Sequence, residues 1–141
     1  MEPDQSFKSV LIIDDDLTLR EMYEEYLKAS GFAVLSAQDG EEGLKKAKES
    51  TPSAILLDLM MPKMNGIEVL RRLKADEAMA PIPVIVFTAL IQDLEKQESL
   101  AAGASDYVVK TEVTPKSILD KINQLTGGES VVGATKDDQA T

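Results

Sequence analysis

The chain has 141 residues and carries 25 acidic against 15 basic side chains, so its formal net charge at neutral pH is −10. That length suits one domain of ordinary size, and the acidic balance disfavours nucleic acid and anionic membranes as direct partners. The absence of cysteine and histidine excludes disulfides, thiolate zinc sites and every mechanism that uses a thiol or an imidazole.

The chain begins with a short β-branched run followed by a helical pattern. Residues 10–13 predict a first strand that ends at three aspartates, the last of which, Asp16, is expected to cap a helix that ends before Gly31. The apolar face of that helix is formed by Leu19, Met22, Tyr23, Tyr26 and Leu27. Residues 33–35 predict a second strand, and the next helix ends before Pro52. Its apolar face is formed by Leu44 and Ala47.

The middle of the chain repeats this alternation. Residues 54–57 predict a third strand that ends at Asp58, and the Asn65-Gly66 pair starts a third helix. Its inward side chains are Val69, Leu70 and Leu73. Residues 84–87 then predict a fourth strand, which is wholly apolar and ends at Thr88.

The last part of the chain contributes two helices and one strand. The fourth helix runs through Leu94 and Leu100, and residues 107–109 predict a fifth strand that ends at Lys110. Pro115 suits the first turn of a fifth helix because its missing N–H would have no partner there. The apolar face of this helix is formed by Ile118, Leu119, Ile122 and Leu125.

Five strands alternating with five helices predict an α/β fold with a doubly wound parallel sheet that is covered on both faces. We assign residues 1–126 to this domain and expect residues 127–141 to form a flexible polar tail. No apolar run approaches the ~20 residues of a transmembrane helix, and the first residues are acidic where a secretory signal is basic. We therefore expect a cytoplasmic protein without membrane insertion.

The chemistry is expected where the strands end, because ligands bind at the carboxyl ends of the strands in an open parallel sheet. Those ends carry Asp14, Asp15, Asp58, Thr88 and Lys110. Three carboxylates in one cleft repel one another unless a cation lies among them, and carboxylate oxygens suit Mg²⁺. A lysine and a hydroxyl beside that cation suit a phosphoryl group, and a carboxylate can serve as its acceptor.

This arrangement resembles the response-regulator receiver domains of two-component signalling, in particular the single-domain, chemotaxis-regulator-like members. The resemblance covers residues 8–125 and depends on the Asp14-Asp15 pair, the segment 58–66, the Thr88-Ala89 pair and Lys110. It implies a flavodoxin-like sheet with strand order 2-1-3-4-5. It also implies a phosphorelay in which the receiver catalyses only its own phosphorylation and slow dephosphorylation, and is otherwise no enzyme.

The resemblance assigns roles to individual residues. Asp58 would accept the phosphoryl group from a kinase phosphohistidine or from acetyl phosphate. Asp15, Asp58 and the backbone carbonyl of Met60 would bind Mg²⁺ (or Mn²⁺) directly, and Asp14 would act mainly through metal-bound water. Lys110 would pair with Asp58 before phosphorylation and with a phosphate oxygen afterwards.

A second set of implied roles concerns signal output. Thr88 would move its hydroxyl onto the phosphate, and Tyr107 would follow by turning inward. The fourth helix, fifth strand and fifth helix would then present an altered face to a downstream protein. The implied partners are a histidine kinase or phosphotransfer protein and that target, with the receiver a monomer or a weak phosphorylation-dependent dimer.

Two residues depart from the pattern of the family. Thr111 follows Lys110 where members commonly have proline in a cis peptide bond, so we expect a trans or strained loop there. Met60, two residues after the acceptor, is a bulky apolar side chain. We predict that it hinders attacking water and lengthens the lifetime of the phosphorylated state.

Parts of the sequence also match other functions. The segment Asp14-Asp15-Asp16-Leu17-Thr18 matches the nucleophile motif of haloacid-dehalogenase-like phosphatases, with Asp14 as the nucleophile. That interpretation gives Asp58 no role. The chain also lacks the second acidic pair that those phosphatases carry after the lysine. The chain could also be a receiver that only binds proteins, or a receiver fragment of a larger regulator or hybrid kinase. We favour a stand-alone regulator.

Overall fold

The computed structural model describes residues 8–89 and 92–127, and within these ranges five strands alternate with five helices. The strands are β1 (Ser9–Ile13), β2 (Ala33–Ala37), β3 (Ala54–Leu57), β4 (Val84–Thr88) and β5 (Asp106–Val109). The helices are α1 (Leu17–Ala29), α2 (Gly40–Ser50), α3 (Gly66–Ala75), α4 (Asp93–Ala101) and α5 (Pro115–Thr126). In the described ranges no helix has the length and apolar character needed to cross a membrane. Apart from Gly127, the predicted tail lies outside the described residues.

The five strands are parallel and lie in the order β2-β1-β3-β4-β5, which confirms the predicted doubly wound arrangement. At the centre of the sheet, Ile55 lies beside Leu11 on one side and Val84 on the other. Parallel strands end at one edge of a sheet, so the residues that follow them are brought together. We call this the carboxyl edge and define it by Asp14, Asp15, Asp58, Thr88 and Lys110.

Successive residues of the central strands pack against opposite helical layers. Ile55 belongs to a buried cluster that includes Leu70 of α3, whereas its neighbour Leu56 belongs to a second cluster that includes Leu27 of α1 and Ile118 of α5. Because helices cover both faces, β3 and β4 are buried at every position. The wholly apolar runs in the sequence have this physical origin.

Polar side chains start the helices at the positions that the sequence predicts. Asp16 accepts a hydrogen bond from the backbone N–H of Leu19 at 3.1 Å and caps α1. Asn65 accepts one from the N–H of Ile67 at 2.7 Å and caps α3. Pro115 occupies the first turn of α5. These three residues mark the starts of α1, α3 and α5.

Four apolar side chains that marked the predicted helices are exposed in the structure. They are Met22 (46%), Leu94 (75%), Leu100 (43%) and Leu125 (38%). Met22 and Leu125 lie outside the buried parts of their helices, because α1 buries Tyr23 and Leu27 and α5 buries Ile118 and Ile122. The α4 helix packs beside the edge strand β5 and buries only Ser99. A peripheral helix can pack through a small residue. The apolar spacing therefore predicted the position of α4 but not which of its side chains are buried.

Candidate functional site

The carboxyl edge brings four of the predicted site residues together, namely Asp14, Asp15, Asp58 and Lys110. Carboxylate oxygens of Asp14, Asp15 and Asp58 all lie within 4.8 Å of one another. The Lys110 Nζ is 2.6 Å from Oδ2 of Asp14 and 3.5 Å from Oδ2 of Asp58. The strand order accounts for this proximity, since β1 and β3 are neighbours and β4 lies between β3 and β5.

Asp58 is the buried carboxylate at the end of the central strand β3, with 3% of its surface exposed. Its backbone N–H donates to the carbonyl of Ile13, and its Oδ1 accepts a hydrogen bond from the backbone N–H of Met60 at 3.1 Å. Burial raises the pKa of the Asp58 carboxyl to about 6, helped by the charge of Asp14 and opposed by Lys110 and the Met60 N–H. The site therefore disfavours a negative charge on Asp58 unless a cation offsets it.

Tight packing behind Asp58 explains the glycine at the start of α3. A Cβ atom on Gly66 would lie 2.5 Å from the backbone carbonyl oxygen of Asp58 and 2.5 Å from Cα of Leu59. The N–H of Gly66 donates to the carbonyl of Leu59 at 3.1 Å. Only a residue without a side chain allows this approach, so Gly66 holds α3 against the segment that carries Asp58.

Asp14 is the most enclosed of the three acids, with 1% of its surface exposed, whereas Asp15 is exposed. Its Oδ1 accepts a hydrogen bond from the backbone N–H of Asp16 at 2.9 Å, and its backbone N–H donates to the carbonyl of Ala37. The two acids thus differ in environment although they are adjacent in the chain. Asp14 faces Lys110, and Asp15 faces solvent beside the cluster.

Lys110 lies closer to Asp14 than to Asp58, although the resemblance implies pairing with Asp58. Burial lowers the pKa of its ammonium group, but the hydrogen bond and charge of Asp14, followed by those of Asp58, outweigh burial and raise the pKa overall. Its Nζ also lies 5.6 Å from the centre of the Phe87 ring. The peptide bond between Lys110 and Thr111 is trans and lies in a 3₁₀ turn over Lys110–Glu112.

Thr88 ends β4 with its side chain fully buried. Among the residues that the structure describes, its Oγ1 has no hydrogen-bond partner. A buried hydroxyl without a partner is costly and uncommon, which points to a partner that arrives with a ligand. The orphaned oxygen and the carboxylate cluster are at the same edge of the sheet.

Tyr107 and Met60 flank the site in different ways. Tyr107 is 8% exposed and belongs to the same buried cluster as Val86, so its side chain already lies inside the fold. Burial raises the pKa of its phenol, Glu95 raises it further, and the backbone of Gln92 opposes both. Met60 is 50% exposed. Its predicted influence on water access stays a prediction.

Arg20 is a residue near the site that the sequence analysis missed. Its Nη1 donates a hydrogen bond to the backbone carbonyl of Asp14 at 2.7 Å. The available signal was its position four residues after Asp16, on the first turns of the helix that follows the acidic triplet. Spacing alone could not show whether this long side chain reaches back to the turn or extends into solvent.

Comparison with known proteins gives consistent results. A family model for the response regulator receiver domain matches residues 10–123. The alkaline phosphatase synthesis transcriptional regulatory protein PhoP of Bacillus subtilis (strain 168) is 39% identical over 118 residues, which are 84% of this chain and 48% of the relative. The gliding motility regulatory protein of Myxococcus xanthus is 40% identical over 117 residues, which are 83% of this chain and 15% of the relative. The chain spans about half the length of the first relative and much less of the second.

Solved structures agree with the sheet topology. Chemotaxis protein CheY4 of Vibrio cholerae superposes with a TM-score of 0.79 at 29% identity, covering 84% of this chain and 98% of that chain. The signal receiver domain of a signal transduction histidine kinase from Syntrophus aciditrophicus gives a TM-score of 0.78 at 25% identity, covering 94% and 99%. The match extends along almost the whole length of both neighbours.

Proposed function

The chain belongs to the response regulator receiver family, and on that premise we propose that Asp58 accepts a phosphoryl group in a Mg²⁺-dependent reaction. The family places it among the signalling proteins of two-component systems. The observation that carries the proposal is the gathering of Asp14, Asp15, Asp58 and Lys110 at the edge of the sheet where β4 ends in the orphaned hydroxyl of Thr88. Each group has a task in phosphoryl transfer to a carboxylate.

The donor set suits a hard divalent cation. Asp14, Asp15 and Asp58 offer oxygens within 4.8 Å of one another, and their mutual repulsion favours a cation between them. We propose that Asp15, Asp58 and the backbone carbonyl of Met60 bind Mg²⁺ or Mn²⁺ directly and that Asp14 acts through water. When bound, the cation offsets the negative charge of the carboxylates and of the phosphoryl oxygens.

The transfer itself requires a nucleophile and charge neutralisation. A carboxylate oxygen of Asp58 attacks the phosphorus of the donor, and a new P–O bond forms as the bond to the leaving group breaks. The electron pair of the broken bond leaves with the imidazole of a phosphohistidine or with acetate. Lys110 then moves from Asp14 to a phosphoryl oxygen, and the Thr88 hydroxyl donates to another.

The output follows from the new contacts. Thr88 and Tyr107 lie on the neighbouring strands β4 and β5, where Tyr107 pairs with Val86 two residues before Thr88. Tyr107 also lines a groove of about 330 Å³ together with Lys96 of α4 and Lys121 of α5. We propose that phosphorylation repacks this α4-β5-α5 face and changes its affinity for a target protein or for a second copy.

The phosphatase alternative is not favoured, because the family match and the similar structures are receivers. We propose uptake of a single phosphoryl group per chain, without turnover of phosphate esters. A histidine kinase or phosphotransfer protein is the proposed donor.

The direct test is intact-mass measurement after incubation with acetyl phosphate and Mg²⁺. Wild type gains one labile phosphoryl group, and Asp58→Asn gains none. Asp120→Asn, which changes an exposed acid of α5, serves as the control and labels like wild type. Labelling of Asp58→Asn, or hydrolysis of p-nitrophenyl phosphate over many turnovers, contradicts the proposal.

A further inference from the structure

The three arginines in the described residues have different partners. Arg71 lies 3.5 Å from a carboxylate oxygen of Glu98, and Arg72 lies 3.0 Å from one of Glu68. Both have side chains that are more than half exposed, at 55% and 56%. Arg20 instead donates from Nη1 to the backbone carbonyl of Asp14 at 2.7 Å. Its guanidinium therefore contacts the acidic turn itself.

That turn is short and carries two of the three acids. β1 ends at Ile13 and α1 begins at Leu17, so three residues connect them. The carbonyl that Arg20 holds belongs to the peptide between Asp14 and Asp15. Holding this peptide plane restricts the backbone torsions on either side of it, and these torsions set the direction in which the two side chains leave the backbone. In the described structure the Asp15 carboxylate has no hydrogen bond of its own.

The other contacts of Asp14 hold different atoms. Its N–H donates to Ala37, its Oδ1 accepts from Asp16, and its Oδ2 pairs with Lys110. Of these, the Lys110 contact changes when Lys110 transfers to a phosphoryl oxygen. The hydrogen bond from Arg20 does not depend on that transfer. A charged donor also makes a stronger hydrogen bond than a neutral one.

We propose that Arg20 is a positioning residue that holds the turn between β1 and α1, so that the carboxylates of Asp14 and Asp15 converge with that of Asp58. The expected effect of Arg20 on Mg²⁺ binding rests on the proposed function. Its effect on the conformation of the turn does not depend on that function. Arg20 acts through Asp14 and Asp15 and need not touch the phosphoryl group.

The direction in which Mg²⁺ affinity changes when Arg20 is replaced distinguishes a positioning role from a purely electrostatic effect of its charge. A positive charge near three carboxylates repels a cation, so its removal alone strengthens Mg²⁺ binding. Loss of a group that orients the ligands weakens binding, in known metal sites on the order of ten- to a hundredfold. Positioning and simple electrostatics therefore predict opposite changes when Arg20 is replaced.

The experiment compares Arg20→Met, Arg20→Lys and wild type, with Arg71→Met as the matched arginine control on the surface. Mg²⁺ affinity is measured by NMR titration of the backbone amides, and urea unfolding checks the stability of each variant. We expect weaker Mg²⁺ binding in Arg20→Met by about tenfold or more, partial recovery in Arg20→Lys, and wild-type affinity in Arg71→Met. Unchanged or tighter binding in Arg20→Met overturns the proposal.

A second readout without metal separates this proposal from the proposed function. In the metal-free protein, Arg20→Met shifts the amide resonances of Asp15 and Asp16 and speeds their hydrogen exchange, and Arg71→Met does not. If wild type binds no Mg²⁺, the proposed function fails while the amide data still decide the role of Arg20. If the Asp15 and Asp16 amides are unchanged in Arg20→Met, the positioning role is wrong.

Discussion

The middle of the sheet and its carboxyl edge are built from the same strands, yet their buried side chains have opposite chemistry. Ile55 and Leu56 in β3 and Val84 in β4 are apolar and at most 1% exposed. Further along the same strands, Asp58 and Thr88 are buried to a similar degree but are polar.

Burial alone therefore does not identify a stabilising residue. Burial of an apolar side chain lowers the free energy of the folded state. Burial of a carboxylate removes hydration that other contacts in the fold must replace. The described residues contain four buried polar side chains. Three of these, Asp14, Asp58 and Thr88, lie at this edge, and the fourth, Ser99, lies outside it. The middle of the sheet stabilises the fold, and the edge holds groups whose burial is useful only when a cation or phosphoryl group completes their contacts.

The largest expected effect on stability is in the middle of the sheet. Ile55→Ala removes a fully buried side chain between Leu11 and Val84, and we expect the free energy of unfolding to fall by about 2–5 kcal/mol. Urea denaturation measures this loss. The folded fraction of the variant should still accept a phosphoryl group at Asp58. A loss below 1 kcal/mol contradicts the assignment of Ile55 to the stabilising core.

Asp58→Asn tests the opposite expectation at the edge. The pKa of the Asp58 carboxyl is raised from 3.8 to about 6, so the folded state holds this proton more tightly than the unfolded state. Stability attributable to Asp58 therefore falls as the pH rises from about 4 to 6. Asparagine does not titrate, and we expect the variant to be more stable than wild type at pH 7 by on the order of 1–3 kcal/mol.

The pH profile provides the control for that prediction. The advantage of Asp58→Asn should disappear below pH 4, where the wild-type carboxyl is protonated in both states. Asp120→Asn, which changes an exposed carboxylate of α5, serves as the control for the loss of one negative charge. An advantage of Asp58→Asn that is constant from pH 3 to pH 7, or a variant less stable than wild type at pH 7, contradicts the electrostatic account of the edge.

A smaller effect on stability is expected at the two buried hydroxyls without partners, those of Thr88 and Ser99. Thr88→Val and Ser99→Ala each remove a hydroxyl that has no hydrogen-bond partner in the described residues, and each should leave stability unchanged or raise it by about 1 kcal/mol. Their functional effects should differ. Only Thr88→Val should abolish the NMR shifts that phosphorylation causes near Tyr107. If both variants lost these NMR shifts equally, the cause would be general packing and not the Thr88 hydroxyl.

The smallest expected effect concerns water access at the rim of the edge. Met60→Asn replaces a half-exposed apolar side chain with a polar one, and we expect the phosphorylated protein to lose its label severalfold faster. The decay of the phosphorylated mass after removal of the donor gives this rate. Met22→Asn changes a similarly exposed methionine on α1 and is the control. An unchanged decay in Met60→Asn excludes shielding by Met60.

Sequence patterns were sufficient for the fold because the central strands β3 and β4 are buried on both faces. Runs such as residues 54–57 are apolar at every position, and helical spacing around Leu70 and Ile118 gave the covering layers. The polar residues that end the strands then located the carboxyl edge. The same reasoning was weaker for α4, since a helix that packs through Ser99 does not need an apolar stripe.

Contacts that depend on the reach of long side chains could not be predicted. Lys110 lies close enough to two acids that the sequence does not determine its nearer partner, and the structure places it at 2.6 Å from Asp14. Arg20 could have extended into solvent or paired with a glutamate of α1. Its contact with the Asp14 carbonyl depends on side-chain torsions that composition and spacing do not determine.

The central claim is that the acceptor is Asp58 and not another acid of the cluster. Reduction of the acetyl-phosphate-treated protein with borohydride converts an aspartyl phosphate to homoserine, and tandem mass spectrometry of the peptides locates the modified residue. The account predicts Mg²⁺-dependent conversion at Asp58 alone. Conversion at Asp14 or Asp15, or none in the presence of Mg²⁺, would contradict it.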